Sequence, residues 1–279
     1  MDTQVCPIKE MERILVPTDL SESSQNAVEE AIRLAKACSS KLIAMTTVLT
    51  NIEYEDVMPW VIEQAEKEML EKLEAIRRMA LQQGVDCEII TYRGDDPETD
   101  IVNVATMKHV DMIVMGTHGR TGLKKLIMGS VARNVIGHAL CKVLVVPPGT
   151  KIDYSTILIA TDGSIHSAAA ASEATVIAKR YGSSLLIVSI APSTAEITFA
   201  EESIKQVMEV AEKEGLKKEG MVLQGQPHEA ILEIAKQRHA GLIVIGSHGR
   251  TGLTSLIMGS VAERVISQTE FAVLVVKPS

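Results

Sequence analysis

Two closely similar stretches hold the residues best suited to chemistry. The first runs Gly116-Thr117-His118-Gly119-Arg120-Thr121-Gly122-Leu123 and continues through Met128-Gly129-Ser130-Val131-Ala132. The second runs Gly246-Ser247-His248-Gly249-Arg250-Thr251-Gly252-Leu253 and continues through Met258-Gly259-Ser260-Val261-Ala262. Each starts at the end of an apolar run (Met112 to Met115, Leu242 to Ile245) and finishes where an amphipathic helical pattern begins. Glycines in such a bridge let the main chain turn and let a ligand approach the backbone. The Gly-Ser pair at the helix start brings unpaired N–H groups and the positive end of the helix dipole to one place, which suits an anion.

An acid stands ready beside each bridge. Arg13-Ile14-Leu15-Val16-Pro17-Thr18-Asp19 reads as a buried strand ending in a loop with a carboxylate, and Thr156 to Thr161 followed by Asp162 reads the same way. A carboxylate there could hold ribose hydroxyls or a phosphate-bound metal. Simpler readings stay open for several residues. Ser130 and Ser260 can serve only as N-caps, and Ser260 with Glu263 fits a capping box. Ser21 and Ser164 read as caps. Arg120 and Arg250 can reach either a phosphate or an acidic neighbour. Asp95-Asp96 fits a turn and a helix-start charge as well as a cation site. His118 and His248 have no Ser or Cys nucleophile at a typical spacing and form no metal cluster, and His109, His138, His166, His228 and His239 read as helix-surface residues.

The elements that must position these residues alternate regularly. In the first half, strands are expected in the Arg13 to Asp19 stretch that ends in the acid loop, and at Leu42 to Val48, Cys87 to Tyr92, Asp111 to Met115 and Lys142 to Val146. Between them lie helices after Ser21, from about Val61 to Gln83, from Pro97 to near His109, and over Val131 to Ala139. The second half repeats the order, ending in a strand from Ala272 to Val276. The strands are apolar on both faces, which predicts parallel sheets covered by helices on each side. The bridges match at an offset of 130 residues, whereas Asp19 matches Asp162 at 143, so the first half carries extra residues around Asn51 to Trp60. Pro147-Pro148-Gly149 marks the boundary, giving domains 1–148 and 149–279.

The whole chain bounds the partners. With 279 residues, 46% of them hydrophobic, two cores are affordable. A net charge of −8 and a sequence pI near 5.5 disfavour nucleic acid. No apolar run approaches a membrane span and the start lacks a signal-peptide pattern, so no membrane association and a cytoplasmic location are expected. Cys6, Cys38, Cys87 and Cys141 form no C-x-x-C pair and read as reduced thiols.

On these residues the chain resembles a tandem universal stress protein: Gly-x-x-Gly, nine residues, Gly-Ser is present twice, with Pro17-Thr18-Asp19 and Thr161-Asp162 at the first-strand ends. The resemblance implies two Rossmann-like α/β repeats, each an open five-stranded parallel sheet in the order 3-2-1-4-5. It also implies binding of ATP, or of AMP or ADP, with Mg2+ an optional companion. The site in the first half would comprise Pro17, Thr18, Asp19, Thr47, Met115, Gly116, Gly119, Arg120, Gly129, Ser130 and Val131. In the second it would comprise Ala160, Thr161, Asp162, Ile190, Ile245, Gly246, Gly249, Arg250, Gly259, Ser260 and Val261. The family pairs domains through the fifth strands, here Lys142 to Val146 and Ala272 to Val276 within one chain, and leaves room for a homodimer and an unidentified protein partner. Thr47 departs from the usual apolar residue and Ala160 from Pro17.

Lys124, Lys125 and Arg133 stand where the second half has Thr254, Ser255 and Glu263, which predicts tighter binding in the first site. The expected role is regulatory binding without rapid turnover. The alternatives are a slow ATPase or nucleotidyl transferase and a nucleotide-free scaffold. No G-x-x-x-x-G-K-[ST] loop, G-x-G-x-x-G fingerprint, S-G-G-x-D-S or H-I-G-H motif is present.

Overall fold

The structure, a computed structural model, describes residues 6–8, 11–50, 57–117, 128–250 and 258–278. The first half comprises β1 (Arg13–Pro17), α1 (Glu22–Cys38), β2 (Lys41–Leu49), α2 (Pro59–Gln82), β3 (Cys87–Gly94), α3 (Pro97–Met107), β4 (Met112–Gly116), α4 (Ser130–His138) and β5 (Lys142–Val146). The second comprises β6 (Thr156–Ala160), α5 (Ile165–Tyr181), β7 (Ser184–Ala191), α6 (Ile197–Lys213), β8 (Lys218–Gln224), α7 (Pro227–Gln237), β9 (Leu242–Gly246), α8 (Ser260–Gln268) and β10 (Val273–Val276).

Each half has the strand order 3-2-1-4-5, and the two halves join into one ten-stranded sheet, β3-β2-β1-β4-β5-β10-β9-β6-β7-β8. All pairs are parallel except the central one, where β5 and β10 run antiparallel with Leu144 opposite Leu274. Each fifth strand covers an edge that would otherwise expose a row of unpaired backbone groups. Along β1, Ile14, Leu15 and Val16 are all fully buried, because alternate residues face opposite helical layers. Ile14 and Val16 join the core that takes residues from α1 and α5, while Leu15 joins the core that takes residues from α4 and α8. Both cores contain residues of both halves, so the sheet junction is continuous interior. Each large side chain buried this way contributes about 1.5–3 kcal/mol.

Polar contacts pin the junction. Lys277 Nζ donates to the carbonyls of Gly137 (2.7 Å) and Ala139 (2.5 Å), closing the C-terminal end of α4 with a residue from the other half. Lys142 pairs with Glu173 of α5 at 2.7 Å. Asn26 Nδ2 donates to Pro147 O and Thr150 O at 3.0 and 2.7 Å, holding the connector on α1.

The reduced-thiol reading is corrected: Cys6 and Cys38 form a disulfide, while Cys87 and Cys141 are free. Their separation of 32 residues gives no hint of the bond. It arises because the segment before β1 folds over the C-terminal end of α1, with Ile8 and Met11 buried in the core. Arg180 of α5 then donates to the carbonyls of Cys6 (3.0 Å) and Ile8 (3.1 Å), tying this segment to the second half. His109 and His239 occupy matching places, both with φ 50°, just beyond α3 and α7. Among the described residues no helix is long and apolar enough to cross a membrane.

Candidate functional site

The second half shows how the site is assembled. Thr161 N–H donates to Val188 O at 2.9 Å, which extends the β6–β7 pairing one step and leaves Asp162 at the sheet rim. The chain then turns through Gly163, whose φ of +74° favours glycine. Ser164 caps α5, its hydroxyl accepting from Ser167 N–H at 3.2 Å. The Asp162 carboxylate accepts from Ser164 N–H at 3.1 Å through Oδ1 and from Arg250 N–H at 2.8 Å through Oδ2. One carboxylate therefore holds the turn after β6 and the bridge after β9 together. Burial works to raise its pKa, but hydrogen bonds from Ser164, the Arg250 backbone and Ser167 outweigh burial and hold the carboxyl below its ordinary value.

Glycines in the bridge answer to close neighbours. A Cβ on Gly246 would lie 2.7–2.8 Å from the backbone and Cβ of His166, and one on Gly249 would lie 2.6 Å from Asp162 Oδ2. Gly259 N–H donates to Ser247 O at 2.9 Å, folding the bridge back so that α8 starts beside the end of β9. Gly259 is the N-cap of α8, and Gly129 is the N-cap of α4. Ser260 and Ser130 are thus first helical residues and not caps, which corrects the capping-box reading. Glu263 turns to Arg133 of the other half at 2.6 Å.

These residues enclose a cavity of about 440 Å³. Every residue expected for the second site lines it: Ala160, Thr161, Asp162, Ile190, Ile245, Gly246, Gly249, Arg250, Gly259, Ser260 and Val261. It carries the start of α8, with N–H groups that have no intrahelical acceptor and a positive dipole end. The lining also includes the apolar side chains of Ile190, Pro192, Pro227 and Ile231. The sequence reading missed Pro192, Glu196, Pro227 and Ile231, because they come from the β7–α6 connection and α7, which carry no motif. Arg250 pairs with Glu196 at 2.9 Å and lies over the Phe199 ring, 3.9 Å from its centroid, so it meets an acidic neighbour here.

His166 is corrected from a surface residue to a half-buried one that contacts Ser247 of the bridge. Ser247, fully buried, places its hydroxyl 3.1 Å from His166 Nδ1 and 3.0 Å from His248 Nδ1. Burial, then the neighbouring His248, lowers the His166 pKa. His228 is corrected too, being 8% exposed.

The first half repeats the frame where it is described. Thr18 N–H donates to Met45 O at 2.8 Å and Gly129 N–H to Thr117 O at 3.0 Å, matching the two bonds above. Asp19 Oδ1 accepts from Ser21 N–H (3.1 Å) and Ser21 Oγ (2.6 Å), so Ser21 sits at the N-cap of α1 with its hydroxyl turned to the acid. Pro17 ends β1, Thr47 lies near the end of β2, and Met115 and Gly116 end β4. Ser130 and Val131 open α4. Gly119, Arg120, His118, Lys124, Lys125, Thr254 and Ser255 lie outside the described residues. Of the charge differences expected to favour the first site, Arg133 is engaged by Glu263 across the junction.

Three comparisons bear on this architecture. The profile of the universal stress protein family matches residues 10–147 and again 153–277. A universal stress protein of Methanocaldococcus jannaschii is 36% identical over 138 residues, covering 48% of this chain and 81% of the relative. One of Mycolicibacterium smegmatis is 28% identical over 292 residues, covering 95% and 97%. The crystal structure of a universal stress protein from Archaeoglobus fulgidus superposes with a TM-score of 0.79 at 24% identity, covering 97% of this chain and all of that one, a likeness of fold. The chain belongs to the universal stress protein family, with two family domains in one polypeptide.

Proposed function

We propose that the protein binds adenine nucleotide, ATP or its AMP and ADP counterparts, in the rim site of each half, and that occupancy regulates a protein partner without rapid turnover. The observation that carries this reading is a cavity lined together by the Asp162 loop, the N-terminus of α8 and apolar side chains including Ile190, Pro192 and Ile231. Its volume falls within the usual range for small-molecule sites. A flat base suits the apolar side chains, phosphates suit the N–H groups of Ser260 and Val261, and the Asp162 carboxylate is an acceptor for ribose hydroxyls. The repeated hydrogen bonds in the first half support a second site of the same kind.

Turnover would need an activated nucleophile or a held metal. Ser247 is fully buried with its hydroxyl between two histidines, and Asp162 has each oxygen engaged by a backbone N–H. Among the described residues no three His, Cys, Asp or Glu side chains are placed to hold a metal. A magnesium ion would arrive on the phosphates. A cytoplasmic setting fits a role in sensing the adenylate pool.

The test is to denature natively purified protein and identify the released nucleotide by chromatography, together with melting scans in added ATP and AMP. We expect released adenine nucleotide, or a rise in Tm on addition. Neither release nor a shift would point instead to the nucleotide-free scaffold, and turnover above background that is abolished by Asp19→Ala with Asp162→Ala would point to an ATPase.

A further inference from the structure

The bridge after β9 holds a fully buried hydroxyl between two imidazoles. The backbone of Ser247 is fixed on both sides, its N–H donating to Val276 O at 3.1 Å and its carbonyl accepting from Gly259 N–H at 2.9 Å. Its hydroxyl is thereby set 3.1 Å from His166 Nδ1 and 3.0 Å from His248 Nδ1, and the ring centroids lie 5.0 Å apart. Gly246 lets α5 bring His166 this close, since a Cβ there would lie 2.7 Å from the His166 backbone.

A hydroxyl has one proton to give and lone pairs to receive. Within this trio, Ser247 bonds both rings only when one donates Nδ1–H to it and the other presents a bare Nδ1 to its proton. The rings are then opposite tautomers, and the donating ring keeps its bond when it gains a proton at Nε2. A second proton, on the accepting ring, would strand the Ser247 hydrogen and set two like charges side by side. The pair is therefore built for one added proton.

The surrounding charges hold that proton weakly. Burial, then His248, with Lys277 beyond β10 in support, outweigh Asp162 and keep His166 below its ordinary pKa. Asp162 is engaged by the Ser164 and Arg250 N–H groups, and Arg250 by Glu196 at 2.9 Å. An anion in the cavity would change the balance. Ser247 and His248 line it beside Gly259 and Ser260, and a Cβ on Gly259, the N-cap of α8, would lie 3.2 Å from His248 Cα. Negative charge held at that helix start favours an imidazolium next to it. In the first half Ser23 stands in place of His166, with its hydroxyl 2.7 Å from Ser21 Oγ, so one imidazole of the pair is replaced.

We infer that the trio of His166, Ser247 and His248 couples anion binding in the second site to uptake of a proton from solvent, so that this site, unlike the first, binds nucleotide more tightly as pH falls. The inference rests on the proposed nucleotide site and adds its regulation. Linkage makes the effect reciprocal: as the phosphates strengthen the hold on the proton, the proton strengthens the hold on the phosphates. His166 acts through Ser247 and His248 and is a positioning residue.

Titration calorimetry with ATP on the full chain, in two buffers of different ionisation enthalpy, reads the protons taken up per chain. His166→Asn keeps an amide that can bond Ser247 but takes no proton, and the nucleotide's own phosphate protons cancel between parent and variant. Near pH 6.5 we expect the parent to take up about half a proton more than the variant. Its affinity should also rise about three- to fivefold more between about pH 7.5 and 6. Histidine-labelled NMR adds a readout that a merely structural role would not move. His166 and His248 should show opposite tautomers in the neutral state, and the His166 titration should move up in ATP. Equal proton uptake in parent and variant, or a His166 titration unmoved by ATP, overturns the inference and leaves nucleotide binding standing. Absence of ATP binding throughout this pH range overturns both.

Discussion

Arg133 and Glu263 occupy equivalent positions 130 residues apart in the two repeats, and they pair with each other at 2.6 Å across the junction of the halves. Two copies of either half, paired in the same manner, would bring two arginines or two glutamates together. The pair thus favours joining unlike halves, an arrangement one chain supplies by itself.

Charge reversal should expose this dependence. Glu263→Arg alone places like charges at the junction and should lower stability by about 1 kcal/mol, a modest value because the pair is partly exposed. Arg133→Glu with Glu263→Arg should recover most of the loss. A double-mutant cycle in urea measures the coupling, and additive losses would show that the two residues act independently.

The disulfide predicts a redox-dependent stability. Cys6–Cys38 closes a loop with a sequence separation of 32, and removing it by reductant or by Cys6→Ser with Cys38→Ser should cost about 2–4 kcal/mol. Urea unfolding with and without reductant checks it; an unchanged midpoint would count against the bond. Thiol titration of the native protein should find Cys87 and Cys141 only, and reacting slowly, since burial pushes each thiol up to about 11.

His166 predicts a pH dependence. Its folded-state pKa lies below the unfolded value of about 6.5, first through burial, then through His248, with Lys277 adding to the effect and Asp162 opposing it. The unfolded chain binds the proton first, so this contribution to stability is complete above about pH 6.5 and is lost as pH falls toward the folded pKa. His166→Ser, which copies Ser23 at the equivalent place, should flatten the unfolding free energy between pH 7 and about 5. A slope as steep as that of the parent protein would rule out His166 as its source.

Gly246→Ala should damage both packing and the site. The added Cβ would meet the His166 backbone at 2.7 Å, and backbone cannot rotate aside as a side-chain tip can. We expect a loss of about 1–3 kcal/mol and a smaller ATP-induced rise in Tm than in the parent. Full retention of both in melting scans would mean that α5 can retreat from β9 without cost.

Much of this was legible without coordinates. The apolar strands and amphipathic helices predicted a helix-covered parallel sheet in each half, since period is a local property, whereas the strand order was implied by the family resemblance. All eleven residues expected for the second site meet at one cavity because they lie at the ends of neighbouring strands, where the fold itself collects them. Pro227 and Ile231 stayed hidden because their helix reads as ordinary packing. His166 was misread because the face it presents depends on how closely α5 approaches Gly246.

By itself the sequence determined the repeat, the fold class, the acidic surface and the phosphate-suited bridges, all written in residue type and spacing. Only the tertiary structure decided that Cys6 meets Cys38, that Arg133 faces Glu263 and that Asp162 bonds the Arg250 backbone. The physical reason is common to all three. Each joins residues remote in the chain or on different elements, and its existence depends on distances set by packing the helices on the sheet.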